Sequence, residues 1–414
     1  SVANVGGPYR TSRAVDETVR CARDAFADLV SAPASGDVVF GLNATSLNLH
    51  LGHALFRTFP ATAGNVVVSA IDHDSNHSAW TRLAERYDLE VRVARVTTEP
   101  WLRVDTEALL EAIDDTTRFV ASGLASNAVG SMLDAAAIRD ITAKARSVGA
   151  VSFVDAVHAA PHVRIDVGDL GCDFLVCSPY KFFGPHCGVL YGRRDLLESL
   201  APDKIAAADD GLPSAANAHM SKWEPGTQAF ETLAGATAAV DYLASLGDRF
   251  GGLAADPPAR LLSLGGGASS SSSTSVATSH GDVSSKTTPL TRRERLDAGF
   301  AAIRLHEDAI KAVFLGRARD VPGLRVFGHA DPVAGLAHRT PTFAIAVEGL
   351  DKATLVGRLV AEGIFCTEGT HYCTFWQDAF PGVTGAARLS FLHYNTLDEV
   401  HRVCDALDRI AARR

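Results

Sequence analysis

Basic residues never gather in this chain. No cluster of five or six lysines and arginines appears among its 414 residues, and the formal net charge is -9. Together these argue against nucleic acid as a partner. Uninterrupted apolar runs stay well short of the ~20 residues a membrane helix needs, so no membrane association is expected. The seven cysteines, at positions 21, 172, 177, 187, 366, 373 and 404, are odd in number and contain no CxxC pair. A disulfide framework and a structural zinc site are therefore both disfavoured, and a reducing, cytoplasmic setting is expected. Most of these thiols should act as small buried hydrophobes. The dinucleotide-binding GxGxxG fingerprint is missing, which speaks against a nucleotide-binding or non-catalytic scaffold protein. No secretory h-region follows Ser1, so export is not indicated, and a start without methionine leads us to expect a further element before it.

What remains is ordinary globular composition, 47% hydrophobic and 21% charged, long enough for more than one core. Between Asn43 and Gly192, "NVVVSAI" (65–71), "LEVRVARV" (89–96), "RFVASGLAS" (118–126), "AVSFVDAV" (150–157), "DFLVCS" (173–178) and "CGVLYG" (187–192) read as strands. Their apolar residues are consecutive, as in a sheet covered on both faces. "DTEALLEAID" and "DAAAIRDITAKARSVG" between them have helical periodicity, the second closed by Gly149. Repeated βα units predict a mostly parallel α/β sheet of about seven strands, with ligands gathered at the carboxyl ends of its strands. A connecting helix is expected over 230–250. The segment 251–291, which includes "GGGASSSSSTSVATSHGDVSSKTTP", reads as a disordered insertion: a neutral spacer, or alternatively a regulated docking tail. Residues 292–414 then predict a smaller α+β domain after a large domain over 1–250.

Four features sit where strands of the large domain end. "VFGLNATSLNLHLG" gives a strand, a turn with Asn43, Ala44 and Thr45, and a helix whose first amides suit a phosphate or simply an N-cap. "AIDHDSNHSAW" places Asp72, His73 and Asp74 after a strand; His73 is either structural or a flat ring that stacks on a planar cofactor. "VSFVDAVHAAPHV" ends a buried strand with Asp155, followed by His158, and a carboxylate there is costly unless a cation meets it. The fourth is "CSPYKFFGP", with Ser178 and Lys181. A lysine at that place is usually a loop residue reaching water. Paired with an aspartate at the end of the preceding strand, it matches what pyridoxal phosphate needs: an amine for the Schiff base and a carboxylate for the pyridine nitrogen.

With these features in order, the chain resembles the class V, cysteine desulfurase-like branch of the fold type I pyridoxal phosphate enzymes, from about Gly6 to the C-terminus outside the serine-rich segment. The resemblance implies that Lys181 is the Schiff-base lysine, that Asp155 faces the pyridine nitrogen and that His158 lies near the phenolic oxygen. It implies His73 stacked on the ring, Asn127 of "ASNAVG" beside ring oxygen and substrate, and Ala44, Thr45 and Ser178 at the phosphate. "WEPGTQAFET" looks like the family's crossing loop, from which Thr227 would reach the phosphate of the partner in a homodimer. In "ARLSFLHYNTLDEV", Arg388 would grip the substrate α-carboxylate as a bidentate guanidinium. In "CTEGTHYCTFW", Cys373 falls where desulfurases carry a nucleophilic cysteine. Desulfurases of the most similar type have an arginine, a glycine and two histidines before that cysteine, whereas His371 and Tyr372 stand here. Cys373 is thus either the persulfide-forming nucleophile or a small lining residue. The implied activity is removal of sulfur from L-cysteine or a related amino acid, giving alanine and an enzyme persulfide that a sulfur-acceptor protein would discharge. The alternative is a carbon–sulfur lyase, aminotransferase or epimerase that uses the same ring without a nucleophilic thiol.

Overall fold

Side chains alternate between the two faces of a strand, and in the central strands here both sets are apolar. Val67, Val120, Val154 and Leu175 enter one core, while Val66, Val68, Phe119, Ala121, Phe153, Phe174 and Val176 enter another on the opposite side. Consecutive valines and phenylalanines are therefore satisfied only by a sheet with helices on both faces. The computed structural model describes residues 3–59, 64–97, 101–255 and 289–413, apart from positions 207, 209, 215–216 and 219–221.

The sheet is built from β1 (Val38–Gly41), β2 (Asn65–Ser69), β3 (Glu90–Ala94), β4 (Thr117–Gly123), β5 (Val151–Asp155), β6 (Phe174–Cys177) and β7 (Gly188–Gly192). Their spatial order is β1-β7-β6-β5-β4-β2-β3, and only β7 runs antiparallel to its neighbours. The carboxyl ends of the six parallel strands thus share one edge. Helices Ala44–Phe56 and Ser78–Arg86 cover one face. Helices Arg10–Leu29, Ala135–Ser147 and Phe230–Ala255 contribute to the core on the other. At Gly188 a Cβ would lie 2.5 Å from the backbone carbon of Asn43, so the missing side chain lets the start of helix Ala44–Phe56 close onto β7.

Helix Arg292–Ala318 packs on helix Phe230–Ala255 and leads to a second sheet. Its strands, β8 (Leu324–Val326), β9 (Thr342–Val347), β10 (Thr367–Gly369) and β11 (Ala386–Ser390), run antiparallel in the order β8-β9-β11-β10. Helices Lys352–Ala361 and Leu397–Ala412 join Phe314, Phe343, Ile345 and Leu389 in its core. Most of the serine-rich stretch expected as an insertion, from 256 to 288, lies outside the described residues. The helix expected to stop at Phe250 continues to Ala255. No helix among the described residues is long and apolar enough to cross a membrane.

The buried guanidinium of Arg23 fixes the 222–227 stretch to the sheet. It donates to both carboxylate oxygens of Glu224, at 3.0 and 2.7 Å, and to the carbonyls of Val38 and Ala218. Glu224 Oε1 also accepts from Phe40 N at 2.7 Å. Both side chains are at most 3% exposed, so removing one strands the other charge away from water. Glu224→Ala should therefore lower the unfolding free energy by about 3–5 kcal/mol, measured by urea denaturation. A loss below about 1 kcal/mol, the usual value of an exposed pair, would show that this ion pair is not the fastening described.

Candidate active site

A cavity of about 590 Å³ opens at the shared strand edge. Asn43, Ala44, Thr45, Asp72, His73, Asn127, Asp155, His158, Ser178, Tyr180, Lys181, His371, Tyr372 and Arg388 are among the residues that line it. Of the eleven residues singled out in the sequence, nine meet there: Lys181, Asp155, His158, His73, Ala44, Thr45, Ser178, Asn127 and Arg388. Cys373 and Thr227 do not.

Each arrives by a local rule. Asn43 caps helix Ala44–Phe56, its Oδ1 accepting from Ser46 N at 2.8 Å, so Ala44 and Thr45 present the helix's first amides to the cavity. Ser178 precedes a single 3-10 turn, Pro179–Phe182, which sets Lys181 beside the end of β5. That turn closes with Phe183 in the left-handed region at φ 71. Asp155 is the last residue of β5 and accepts from Val157 N at 2.8 Å. Burial raises its carboxyl to about 6, against the pull of that hydrogen bond and of Lys181. Burial lowers the Lys181 ammonium, and Arg388 lowers it further while Asp155 opposes the shift. Arg388 comes from β11 of the second sheet and donates to Asn127 O at 2.8 Å, which holds it over the main sheet's loop.

The imidazoles are tuned toward neutrality. His73 Nδ1 accepts from Ser75 N at 3.1 Å, leaving Nε2 to carry the proton in the neutral ring. Burial, Lys181 and Arg388 all lower its affinity for a second proton. His158 is lowered well below its ordinary value by burial, then by His162, Lys181 and Arg388. Its Nε2 lies 3.2 Å from Thr340 Oγ1. Asn127 donates from Nδ2 to His371 O at 2.8 Å, while its buried Oδ1 has no partner. An orphaned acceptor, a buried carboxylate, a softened amine and a run of helix amides together fit a planar ring carrying an anionic tail.

Cys373 does not line this cavity. The expectation that its thiol faces a substrate is not met in this conformation: the residue is 5% exposed, belongs to the main core, and pairs in a bridge with His73. Burial and the charge of Asp72 push the thiol up to about 12. Thr227 is exposed and lines a second cavity of about 320 Å³ with Phe40, Leu42, His50 and Trp223, on the other side of the 40–47 segment. Asp72, Tyr180, His371 and Tyr372, to which the sequence assigns no site role, also line the main cavity. Asp72 carried the same signal as Asp155, a carboxylate just past a buried parallel strand.

Comparison with known proteins follows the same outline. The model of the family described as Aminotransferase class-V matches residues 2–249 and 295–403. A cysteine desulfurase of Yersinia pseudotuberculosis is 26% identical over 98% of this chain and 85% of its own length. A probable cysteine desulfurase of Pseudomonas putida is 29% identical over 94% of this chain and 81% of its own. Among solved structures, a cysteine desulfurase from Thermococcus onnurineus shares the fold with a TM-score of 0.77 at 20% identity, over 100% of this chain and 88% of that one.

Asp72 offers a test of the site's electrostatics. Its Oδ2 accepts from Ser69 Oγ, Asn76 Nδ2 and Gly123 N at 2.6–2.9 Å, yet burial still raises the carboxyl from 3.8 to about 7. Between those two values the folded protein binds the proton and the unfolded chain does not. Stability from this group therefore falls as pH rises through that window, and the full penalty stands above about 7. Asp72→Asn keeps an acceptor without the charge. Its stability relative to the parent should rise by about 2–3 kcal/mol between pH 5 and pH 8 in urea titrations. An equal difference at both pH values would mean that the carboxyl titrates normally.

Proposed function

The chain belongs to the aminotransferase class V family, and from that premise we propose that it is a homodimeric pyridoxal phosphate enzyme of the cysteine desulfurase-like branch, removing sulfur from L-cysteine or a related small amino acid. The observation that carries this reading is the convergence of Lys181, Asp155 and Arg388 from three separate segments on one cavity. The relatives' names and the fold support it from outside the chain.

Bound in this cavity, pyridoxal phosphate supplies an electron sink for charge developing at the amino acid's α-carbon. Ala44, Thr45 and Ser178 would hold the phosphate, Asp155 would keep the ring nitrogen protonated, and His73 would lie against the ring. Lys181 would hold the group covalently, and its Nζ, as a free amine, would move the α-proton. A lowered lysine suits that task, because a free amine, not an ammonium, accepts the proton. Arg388 would bind the α-carboxylate and so decide which substituent points at the loop near 372. Thr227 of one protomer would complete the phosphate end of its partner's site, an arrangement supported by its exposure and by the 82% exposed Leu42 beside it.

In the desulfurase reading the Cys373 thiolate attacks the substrate sulfur. The S–C bond breaks, an S–S bond forms, and the released electron pair and the substrate thiol's proton end on the β-carbon, giving alanine and an enzyme persulfide. That step requires the thiol to leave the core. Its buried position favours a second reading for the same substrate, in which sulfur leaves as hydrogen sulfide and water converts the remainder to pyruvate and ammonia.

Three measurements check this function. Borohydride treatment of the purified protein should fix the cofactor on the peptide containing Lys181, seen by mass spectrometry; an adduct elsewhere, or none, refutes the site. Incubation with cysteine should then yield alanine with one extra sulfur on Cys373, or pyruvate with sulfide if sulfur is expelled. Absence of all these products would refute sulfur removal. Asp155→Ala should retain the Lys181 adduct but lose several powers of ten in turnover, on the order of what removing a transition-state charge partner costs.

A further inference from the structure

We propose that Tyr372, not Cys373, is the loop residue that faces the substrate, and that it sets specificity by closing the space beyond the amino acid's β-carbon. This rests on the reading that the cavity takes an amino acid. The loop 370–375 turns through two successive non-glycine residues in the left-handed region, His371 at φ 55 and Tyr372 at φ 60. A left-handed backbone is costly for a residue with a Cβ and persists only where its surroundings hold it. Here they do. Asn127 Nδ2 donates to His371 O at 2.8 Å, Asp74 N donates to Tyr372 O at 2.8 Å, and Cys373 N donates to Thr370 O at 3.0 Å.

The double turn sends neighbouring side chains to opposite sides. His371 and Tyr372 line the cavity, while Cys373 is driven into the core with its Sγ 4.0 Å from Ala70 O. Tyr372 is 74% exposed and its ring lies 5.3 Å from that of His73, the two planes inclined by 38°. The phenol ring thus borders the cavity beside the imidazole, where it would meet a long substrate side chain before a short one. Cys373 is the anchor that keeps this wall in place. A buried thiol whose ionisation is opposed by Asp72 suits that role, because it fills the core without seeking water.

Alkylation and binding distinguish the two residues. In the holoenzyme treated with iodoacetamide, peptide mapping should show Cys373 labelled at least ten-fold more slowly than the thiol introduced by Tyr372→Cys. Equal labelling overturns the orientation of the loop, whatever the enzyme's reaction. Binding of cysteine and of methionine is then followed by the change in the cofactor's visible spectrum. Tyr372→Ala, or Tyr372→Leu if the alanine variant folds poorly, should shift the ratio of their dissociation constants about ten-fold toward methionine. An unchanged ratio overturns the specificity role. If neither amino acid perturbs the spectrum in any variant, the amino-acid reading fails and the specificity role with it, while the alkylation result still decides which residue faces the cavity.

Discussion

Asp155 ends β5 with its carboxylate out of water, and the rest of the site answers that one cost. An isolated buried charge is disfavoured by several kcal/mol, so the group either takes up a proton or finds a cation. The turn after β5 supplies one backbone amide, from Val157, and the next strand's exit supplies Lys181. The second sheet adds Arg388, whose charge lowers the lysine instead of pairing with the carboxylate. The result is a set of groups all displaced toward neutrality, with Asp155 raised and Lys181, His73 and His158 lowered. Such a set is poised for a ligand that brings its own charges.

Topology makes that concentration of groups affordable. Parallel strands end on the same side, so Asp72 after β2 and Asp155 at the end of β5 face one cavity although far apart in the chain. The antiparallel β7 turns the chain back immediately after Lys181 and brings Gly188 against Asn43, which sets the capped helix beside the lysine. Arg23 and Glu224 then fasten the loop bearing Thr227 to β1 from below.

Much of this was legible in the residues. Consecutive valines and phenylalanines in short runs reported a sheet covered on both faces, and the strand ends carried Asp155 and Lys181 in plain view. The first helix, Arg10–Leu29, was not read, although Val15, Val19, Ala22 and Phe26 recur at helical spacing. The orientation of the 370–375 loop was not legible for a physical reason. Positive φ is normally signalled by glycine or asparagine, and here it falls on a histidine and a tyrosine. Without the two left-handed residues, a cysteine following "THY" reads as continuing toward the cavity; with them it turns inward. The Arg23–Glu224 pair was equally hidden, since nothing local marks two charges about 200 positions apart as partners.

Among the described residues β1 pairs only with β7, and this has a consequence for how the chain is made. β1 emerges from the ribosome with no strand to pair with, and its partner ends at Gly192. At roughly 5–20 residues per second, the wait lasts on the order of ten seconds or more. Throughout it, Val38, Val39 and Phe40, all but dry in the finished protein, stand as an open apolar edge. The end of the cavity formed by Ala44 and Thr45 is therefore translated early and assembled late. Helix Ala44–Phe56 gains its seat on β7 at about the moment that Lys181 gains its own.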